Sequence, residues 1–398
     1  MDRARVALIV QRYGLEVNGG AELHCRLIAE QLAARHDVEV LTSCAVDYAS
    51  WRNEYPAGSS LVNGVPVIRF PVAHERDRRR FNQHSAWLFS NPHTRDDELR
   101  WIHLQGPHCP GLISQLSANP CQYDAYIFVT YLYSPTCLGL PLVGPRAALV
   151  PTAHDEAPIY LGIYDEVFGS ARELFFNTVE EKDFVLRRFC MDERGTIVGI
   201  GVTPAQAPEQ DSGWDLIREK TGDSQLLTYV GRIDESKGCA ELFEHFMAYL
   251  SSHPDRNLKL LLLGKPVMPI PEHPAIVHAG FVPESTKLKA IAESHAVVIP
   301  SPFESLSMVA LEAWTLGKPV LVNGDCDVLR GQCRRSQGGL WYTSHAEFEA
   351  CLDRLLHDRN LRTALGNQGR RWTLTEHSWQ RVNDCYDRFI ESTRTQPR

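Results

Sequence analysis

No Cys-x-x-Cys pair occurs among the eleven cysteines, which are scattered from Cys25 to Cys385. Without paired ligand spacing no zinc site is expected, and the cysteines read as reduced thiols, mostly small buried apolar groups. An excess of positive charge is missing as well. The formal net charge is −8, which excludes nucleic acid as a partner on bulk charge. Clean apolar runs are absent. Ala125 to Pro145 carries no formal charge and is long enough to span a membrane, but Pro135, Gly139, Pro141, Gly144 and Pro145 interrupt it. A spanning helix must satisfy its backbone internally, so this stretch reads as a buried strand followed by an irregular loop. The opening MDRARVALIV has two arginines before a short strand-like run and no signal-peptide pattern, so a cytoplasmic location is expected. Gly199-Ile200-Gly201 lacks the third glycine of a dinucleotide fingerprint, and no Gly-x-Ser-x-Gly elbow is present. Low-complexity tracts and solenoid repeats are also lacking.

What is present is an ordinary globular composition, 43% hydrophobic and 23% charged, on 398 residues. That length favours two domains over one core. Arg5–Val10, Asn18-Gly19-Gly20, the helical spacing of Leu23, Leu27, Ile28 and Leu32, and Val38–Leu41 read as strand, glycine turn, helix and strand. This is a βαβ unit and implies a parallel sheet. Val65–Phe70, Ala125–Val129, Ala147–Val150, Arg172–Asn177 and Gly195–Ile200 read as further strands. The polar, His- and Arg-rich stretch 74–110 reads as an insertion or lid. Thr203–Gly213 is punctuation and marks a domain boundary.

The alternation then restarts, with strands at Leu226–Val230, Leu258–Leu263, Ala296–Pro300 and Pro319–Val322. Helices are expected at Ala240–Leu250, Glu284–Glu293 and Ser305–Leu316, the last closed by Gly317 and Pro319. The fold class is therefore α/β, with two doubly wound domains in series. Ligands of such sheets bind at the carboxyl ends of strands, which points to a cleft between facing domains.

Two stretches carry the chemistry. In Tyr229-Val-Gly-Arg-Ile-Asp-Glu-Ser-Lys-Gly238 a strand runs into a helix; Gly231 permits close backbone approach, and Arg232 and Lys237 suit phosphate oxygens. A surface loop with two solvated cations is the alternative. In Pro300–Val322 a helix opening near Ser305 would present the N–H groups of Ser305, Leu306 and Ser307 to an anion. Glu304 would stand at its mouth and Glu312 two turns on, about 12 Å along the axis. A carboxylate accepts two sugar hydroxyls at once, so this set suits a nucleotide-sugar. The alternative is a helix-start acid and a solvated one, although Leu311, Ala313 and Trp314 make Glu312's surroundings apolar. Asp325-Cys326-Asp327 is a literal Asp-x-Asp that could bind Mg²⁺ or Mn²⁺. It follows Val322-Asn323-Gly324 and reads as a solvated turn. Arg76, Arg78, Arg79 and Arg80 form a basic run with Phe81, Trp87, Phe89 and Trp101 nearby. A solvated face with buried aromatics, or contact with a phosphate-bearing acceptor or an anionic membrane, both fit.

Gly231-Arg232, Lys237-Gly238, Pro300-Ser-Pro-Phe-Glu304 and the seven residues before Glu312 resemble family-four retaining glycosyltransferases of the GT-B fold, the group 1 sugar-nucleotide enzymes. Asn18-Gly19-Gly20-Ala21-Glu22 looks like that family's N-terminal glycine loop, and His154-Asp155 like its active-site histidine. The resemblance implies an acceptor-binding domain over 1–204, a nucleotide-sugar domain over 205–371, and a terminal helix in 372–398 that returns to the first domain. It implies that Arg232 and Lys237 hold the donor diphosphate, that Glu304 contacts the transferred sugar and that Glu312 binds the ribose. It further implies that His154 hydrogen-bonds the sugar, that backbone at Gly19, Gly20, Gly231, Ser305, Leu306 and Ser307 approaches the phosphates, and that backbone at Val282 meets the base. No cofactor and no essential metal are expected. The expected donor is a UDP-hexose, UDP-glucose first and GDP-mannose its rival, and the expected acceptor is a saccharide or lipid-linked chain in polysaccharide biosynthesis. Peripheral contact with the inner membrane face is consistent with this. The rival classes are a GT-B sugar-nucleotide 2-epimerase and a non-catalytic nucleotide-binding subunit.

Overall fold

The structure is a computed structural model and describes residues 3–395. It divides into two compact units. The first runs to Ile200 and takes in the stretch from Gln380, and the second is Gly201–Trp379. The expected crossing points were after residues 204 and 371.

The first unit holds an eight-stranded sheet. In chain order its strands are β1 (Arg5–Ile9), β2 (Asp37–Ser43), β3 (Gly58–Val62), β4 (Val65–Phe70), β5 (Ala125–Val129), β6 (Ala147–Val150), β7 (Glu173–Phe176) and β8 (Thr196–Ile197). Their spatial order is β3-β4-β2-β1-β5-β6-β7-β8. All neighbours are parallel except the hairpin β3–β4, whose turn Asn63-Gly64 has positive φ at both residues. The sheet order reverses between β1 and β5, so the crevice beside β1 at its carboxyl end is the switch point of this unit. The central strands β1, β5 and β6 are near-continuous buried apolar runs, as expected of parallel strands covered on both faces.

The stretch 74–110 is not a structureless lid. It forms the helices Arg78–Leu88 and Arg95–Gln105 and leads into a third, Pro110–Ala118. Asp77 and Thr94 cap the first two, Thr94 through a capping box with Asp97. Leu88, Trp101 and Ile102 join the unit's core. The loop expected after β5 is likewise a helix, Ser134–Val143. Pro135 sits in its first turn, where the missing N–H costs nothing, and Pro141 lies two residues before its end. The strand expected over Gly195–Ile200 shrinks to β8. The carboxyl-terminal helix Trp379–Arg394 packs on this unit through Arg35 and His36 to Asp387 and through Phe175 to Tyr386 and Phe389.

The second unit holds six parallel strands: β9 (Gln225–Val230), β10 (Leu258–Leu263), β11 (Ile276–Gly280), β12 (Ala296–Ile299), β13 (Val320–Asn323) and β14 (Gly339–Tyr342). Their order is β11-β10-β9-β12-β13-β14, so the switch point lies between β9 and β12. Leu227, Leu260, Val298 and Leu321 centre its own core. No helix among the described residues is long and apolar enough to cross a membrane.

Candidate functional site

The loops after β9 and β12 flank the switch point of the second unit, and the two motifs singled out in the sequence are those loops. Gly231 follows β9 and Gly264 follows β10. A Cβ on Gly264 would sit 1.8 Å from the Gly231 carbonyl oxygen, so backbone meets backbone there and only glycine fits. Tyr229 donates its hydroxyl hydrogen to the Arg232 carbonyl at 2.6 Å, which fixes the exit from the strand. Arg232 Nε lies 2.8 Å from Asp234 Oδ2, and Lys237 Nζ 2.9 Å from Glu304 Oε1. All four side chains are partly exposed at the mouth of the sheet. Gly238 makes the juxtaposition possible. Its φ is +74°, and a Cβ there would sit 2.1 Å from the Pro300 carbonyl oxygen. The turn that carries Lys237 is thus pressed against the loop that carries Glu304.

The helix after β12 differs from expectation. It spans Met308–Thr315 rather than starting at Ser305, and Ser307 is its cap, accepting from the Ala310 N–H. Ser305 and Leu306 therefore precede the helix, and Glu304 lies in the loop, drawn to Lys237, instead of at the helical mouth. Sequence could not register this because Ser305 and Ser307 are equally good caps; the pairing with Lys237 is a tertiary contact. Glu312 is accordingly little more than one turn into the helix.

Glu312 is mostly shielded, with its side chain 20% exposed. Burial pushes its carboxyl pKa up, and Lys287 pulls it back. Lys287 Nζ bridges Glu312 Oε1 at 2.9 Å and Glu284 Oε2 at 2.9 Å. Burial disfavours the Lys287 ammonium, but the two carboxylates more than offset that and its pKa is raised. Lys287 was missed in the sequence, although Glu284-x-x-Lys287 on the expected helix was a usable sign. Val282 lies between β11 and the helix Glu284–Glu293, with Phe281 beside it exposed. Asp325 belongs to a turn held by Asn323, while Asp327 opens the helix Asp327–Ser336 and is bound by Arg330.

In the first unit Gly19 caps the helix Gly20–Ala33 after β1. A Cβ on Gly19 would meet Glu22 Oε2 at 2.0 Å, whereas Gly20 faces open space. Beneath the loop Glu22 Oε1 accepts from Arg12 Nε (2.9 Å) and Gln11 Nε2 (2.8 Å), and Arg12 also holds the Asn18 carbonyl at 3.0 Å. This ion pair is buried, and it clamps the loop shape. His154 follows β6, half-buried, with Nδ1 3.7 Å from Glu156 Oε1, which accepts from the Tyr131 hydroxyl at 2.8 Å. Next to it the Ala153 N–H donates to Glu181 Oε1 at 2.6 Å, and the Asn177 N–H to Glu181 Oε2 at 2.6 Å. One buried carboxyl thus ties the His154 loop to the end of β7; no pattern in the sequence marked it.

The second unit brings Arg232, Lys237 and Glu304 together, and a neighbouring pair adds Glu312 and Lys287. Gly19, Gly20 and His154 stand at the carboxyl edge of the first sheet.

Residues 215–372 match the family described as glycosyl transferases group 1. Along 95% of both chains the protein is 24% identical to an uncharacterised glycosyltransferase, MJ1607, of Methanocaldococcus jannaschii. It is 26% identical over 44% of its length to D-inositol 3-phosphate glycosyltransferase of Corynebacterium glutamicum, matching half of that protein. Among solved structures, an E. coli trehalose-6-phosphate protein bound with UDP-2-fluoro glucose superposes over 99% of this chain and all of its own, with TM-score 0.70 at 14% identity. The glycosyltransferase WaaG, involved in lipopolysaccharide biosynthesis, superposes over 96% of this chain and 99% of its own, with TM-score 0.63 at 16% identity. The chain thus has the GT-B fold of two Rossmann-like α/β domains, and its residues 215–372 match the glycosyl transferases group 1 family.

Proposed function

We propose that the protein is a retaining glycosyltransferase that moves a hexose from UDP-glucose to a saccharide or lipid-linked acceptor in cell-envelope or exopolysaccharide synthesis. The observation that carries this is the Lys237–Glu304 pair beside Arg232 at the switch point of the second unit. In that reading Arg232 and Lys237 take the diphosphate, helped by backbone at Gly231, Ser305, Leu306 and Ser307. Lys237 would exchange Glu304 for phosphate oxygen as the donor arrives, which frees Glu304 for the sugar hydroxyls. Glu312 would accept from the ribose, and Val282 would offer backbone to the base. From the first unit, Gly19 and Gly20 would give close backbone approach, and His154 would hydrogen-bond the sugar. Breaking the anomeric C–O bond leaves negative charge on the β-phosphate, which the two cations stabilise while positive character grows on the sugar. The acceptor hydroxyl attacks from the leaving-group face and its proton passes to a phosphate oxygen, so configuration is retained. We propose no essential metal, since Arg232 and Lys237 supply the countercharge. The exposed Arg78–Arg80 face, with Trp87 and Phe89, would give peripheral contact with an anionic membrane on the cytoplasmic side.

UDP-glucose is favoured as donor by the UDP-2-fluoro glucose on the E. coli neighbour. The test is a thermal-shift panel of UDP-, GDP-, dTDP- and ADP-sugars, with and without excess EDTA. UDP-glucose should raise the melting temperature equally in both buffers, and Arg232→Ala or Lys237→Ala should remove the shift. A shift with GDP-mannose instead would reassign the donor. A 2-epimer formed from the donor with no acceptor present would overturn the transferase reading, as would Lys237→Ala protein with full activity.

A further inference from the structure

The carboxylate of Glu312 is unevenly used. Oε1 is committed to Lys287 at 2.9 Å, while Oε2 is buried and has no hydrogen-bond partner. A buried carboxylate oxygen without a donor is costly, and such atoms call for an explanation. Helix dipole or solvent does not supply one, since Glu312 sits mid-helix among Leu311, Ala313 and Trp314, all buried. Lys287 is itself fixed by Glu284 at 2.9 Å on its own helix. That helix starts at Glu284, directly after the Phe281–Pro283 loop that follows β11.

We infer that Lys287 is a positioning residue for nucleotide recognition: it fastens one oxygen of Glu312 and so turns the other toward the ribose hydroxyls of a bound nucleotide. The inference rests on the nucleotide-sugar reading above and assigns Lys287 a part in it. Glu284 braces Lys287 from the far side, and the chain Glu284–Lys287–Glu312 links the loop after β11 to the helix after β12. A nucleotide held between those loops would meet a carboxylate whose orientation is set before it arrives, which saves the ordering of a free side chain. The charged groups facing Glu312 are Lys287 and Glu284. Lys287 pulls down the carboxyl pKa that burial pushes up, and so favours the ionised form that an acceptor of two hydroxyl protons needs.

The experiment measures the Kd of UDP and 2′-deoxy-UDP, and of GDP and 2′-deoxy-GDP, on the full-length protein and on Glu312→Gln, Lys287→Met and Lys287→Arg, across pH. Wild type should prefer the ribonucleotide over its deoxy form by about tenfold, the worth of one hydrogen bond to a charged group. Lys287→Met should lose that preference, and its ribonucleotide affinity should fall off at higher pH than wild type, because Glu312 protonates more readily without the ammonium. Lys287→Arg should restore much of the preference. A purely structural lysine would lower the melting temperature of Lys287→Met and leave the ribose preference and pH profile in place, which would overturn the inference. Wild type and Glu312→Gln with equal affinities would remove Glu312 from the site. No binding of any of the four nucleotides to wild type would overturn the nucleotide-sugar reading itself.

Discussion

A single buried carboxyl illustrates how residue-scale physics reaches the site. Burial pushes Glu181 from 4.5 up to about 8, against the N–H groups of Asn177, Ala153 and Thr178, which favour the anion. Its folded value lies above its unfolded one, so between those two values the folded chain keeps a proton that the unfolded chain has released. The associated stability is fully present at low pH and is lost as pH rises through that window. Glu181→Gln removes the titration. Chemical denaturation across pH should show wild-type stability falling more steeply than that of Glu181→Gln between about pH 5 and 8. The glutamine can accept at only one atom, and its amide nitrogen would face a backbone N–H that the carboxyl now binds. An overall loss of about 1–3 kcal/mol is therefore expected for the variant. Equal slopes for the two proteins would show that Glu181 is ionised throughout. Because the same carboxyl anchors Ala153, donor turnover should report any slackening next to His154.

At the scale of elements, the 74–110 stretch separates what pattern can reveal from what it cannot. Its composition is polar, and its apolar residues are few, so it reads as an excursion. The few are decisive: Trp101 is buried, donates its Nε1–H to Ser85 at 2.8 Å and packs its ring against Phe81 and Phe89. Trp101→Ala should cost about 3–5 kcal/mol in urea denaturation, whereas a mobile lid would give a loss near zero. The strands were legible because parallel strands covered on both faces are continuous apolar runs, as in Ala125–Val129 and Ala147–Val150. The helix Ser134–Val143 was hidden by its prolines, whose tolerance depends on position in a helix whose start is set by neighbours. At the site, Arg232, Lys237, Glu304 and Glu312 were legible from residue type and spacing. Which of them touch was not, because the Lys237–Glu304 contact spans 67 residues and depends on Gly238 and Pro300 meeting.

For the whole molecule, the partition of the cores decides how the chain should unfold. Ile9, Phe128 and Leu149 belong to one cluster and Leu227, Val298 and Leu321 to another, each inside its own unit. Separate cores favour separate cooperative transitions in calorimetry. The helix Trp379–Arg394 lies beyond the second unit in sequence, yet Val382, Tyr386, Phe389 and Ile390 are buried and its partners Arg35, His36 and Phe175 are in the first unit. Deletion of residues 380–398 should therefore lower the transition of the first unit and leave that of Gly201–Trp379 in place. UDP-glucose at about a hundredfold its Kd adds about 2.7 kcal/mol to whatever it binds. If the diphosphate is held by Arg232 and Lys237, that gain should appear in the second transition, in the deletion protein as well as in the full chain. A gain confined to the first transition would place donor binding on the other sheet, and the same scan on Arg232→Ala would then show an undiminished shift.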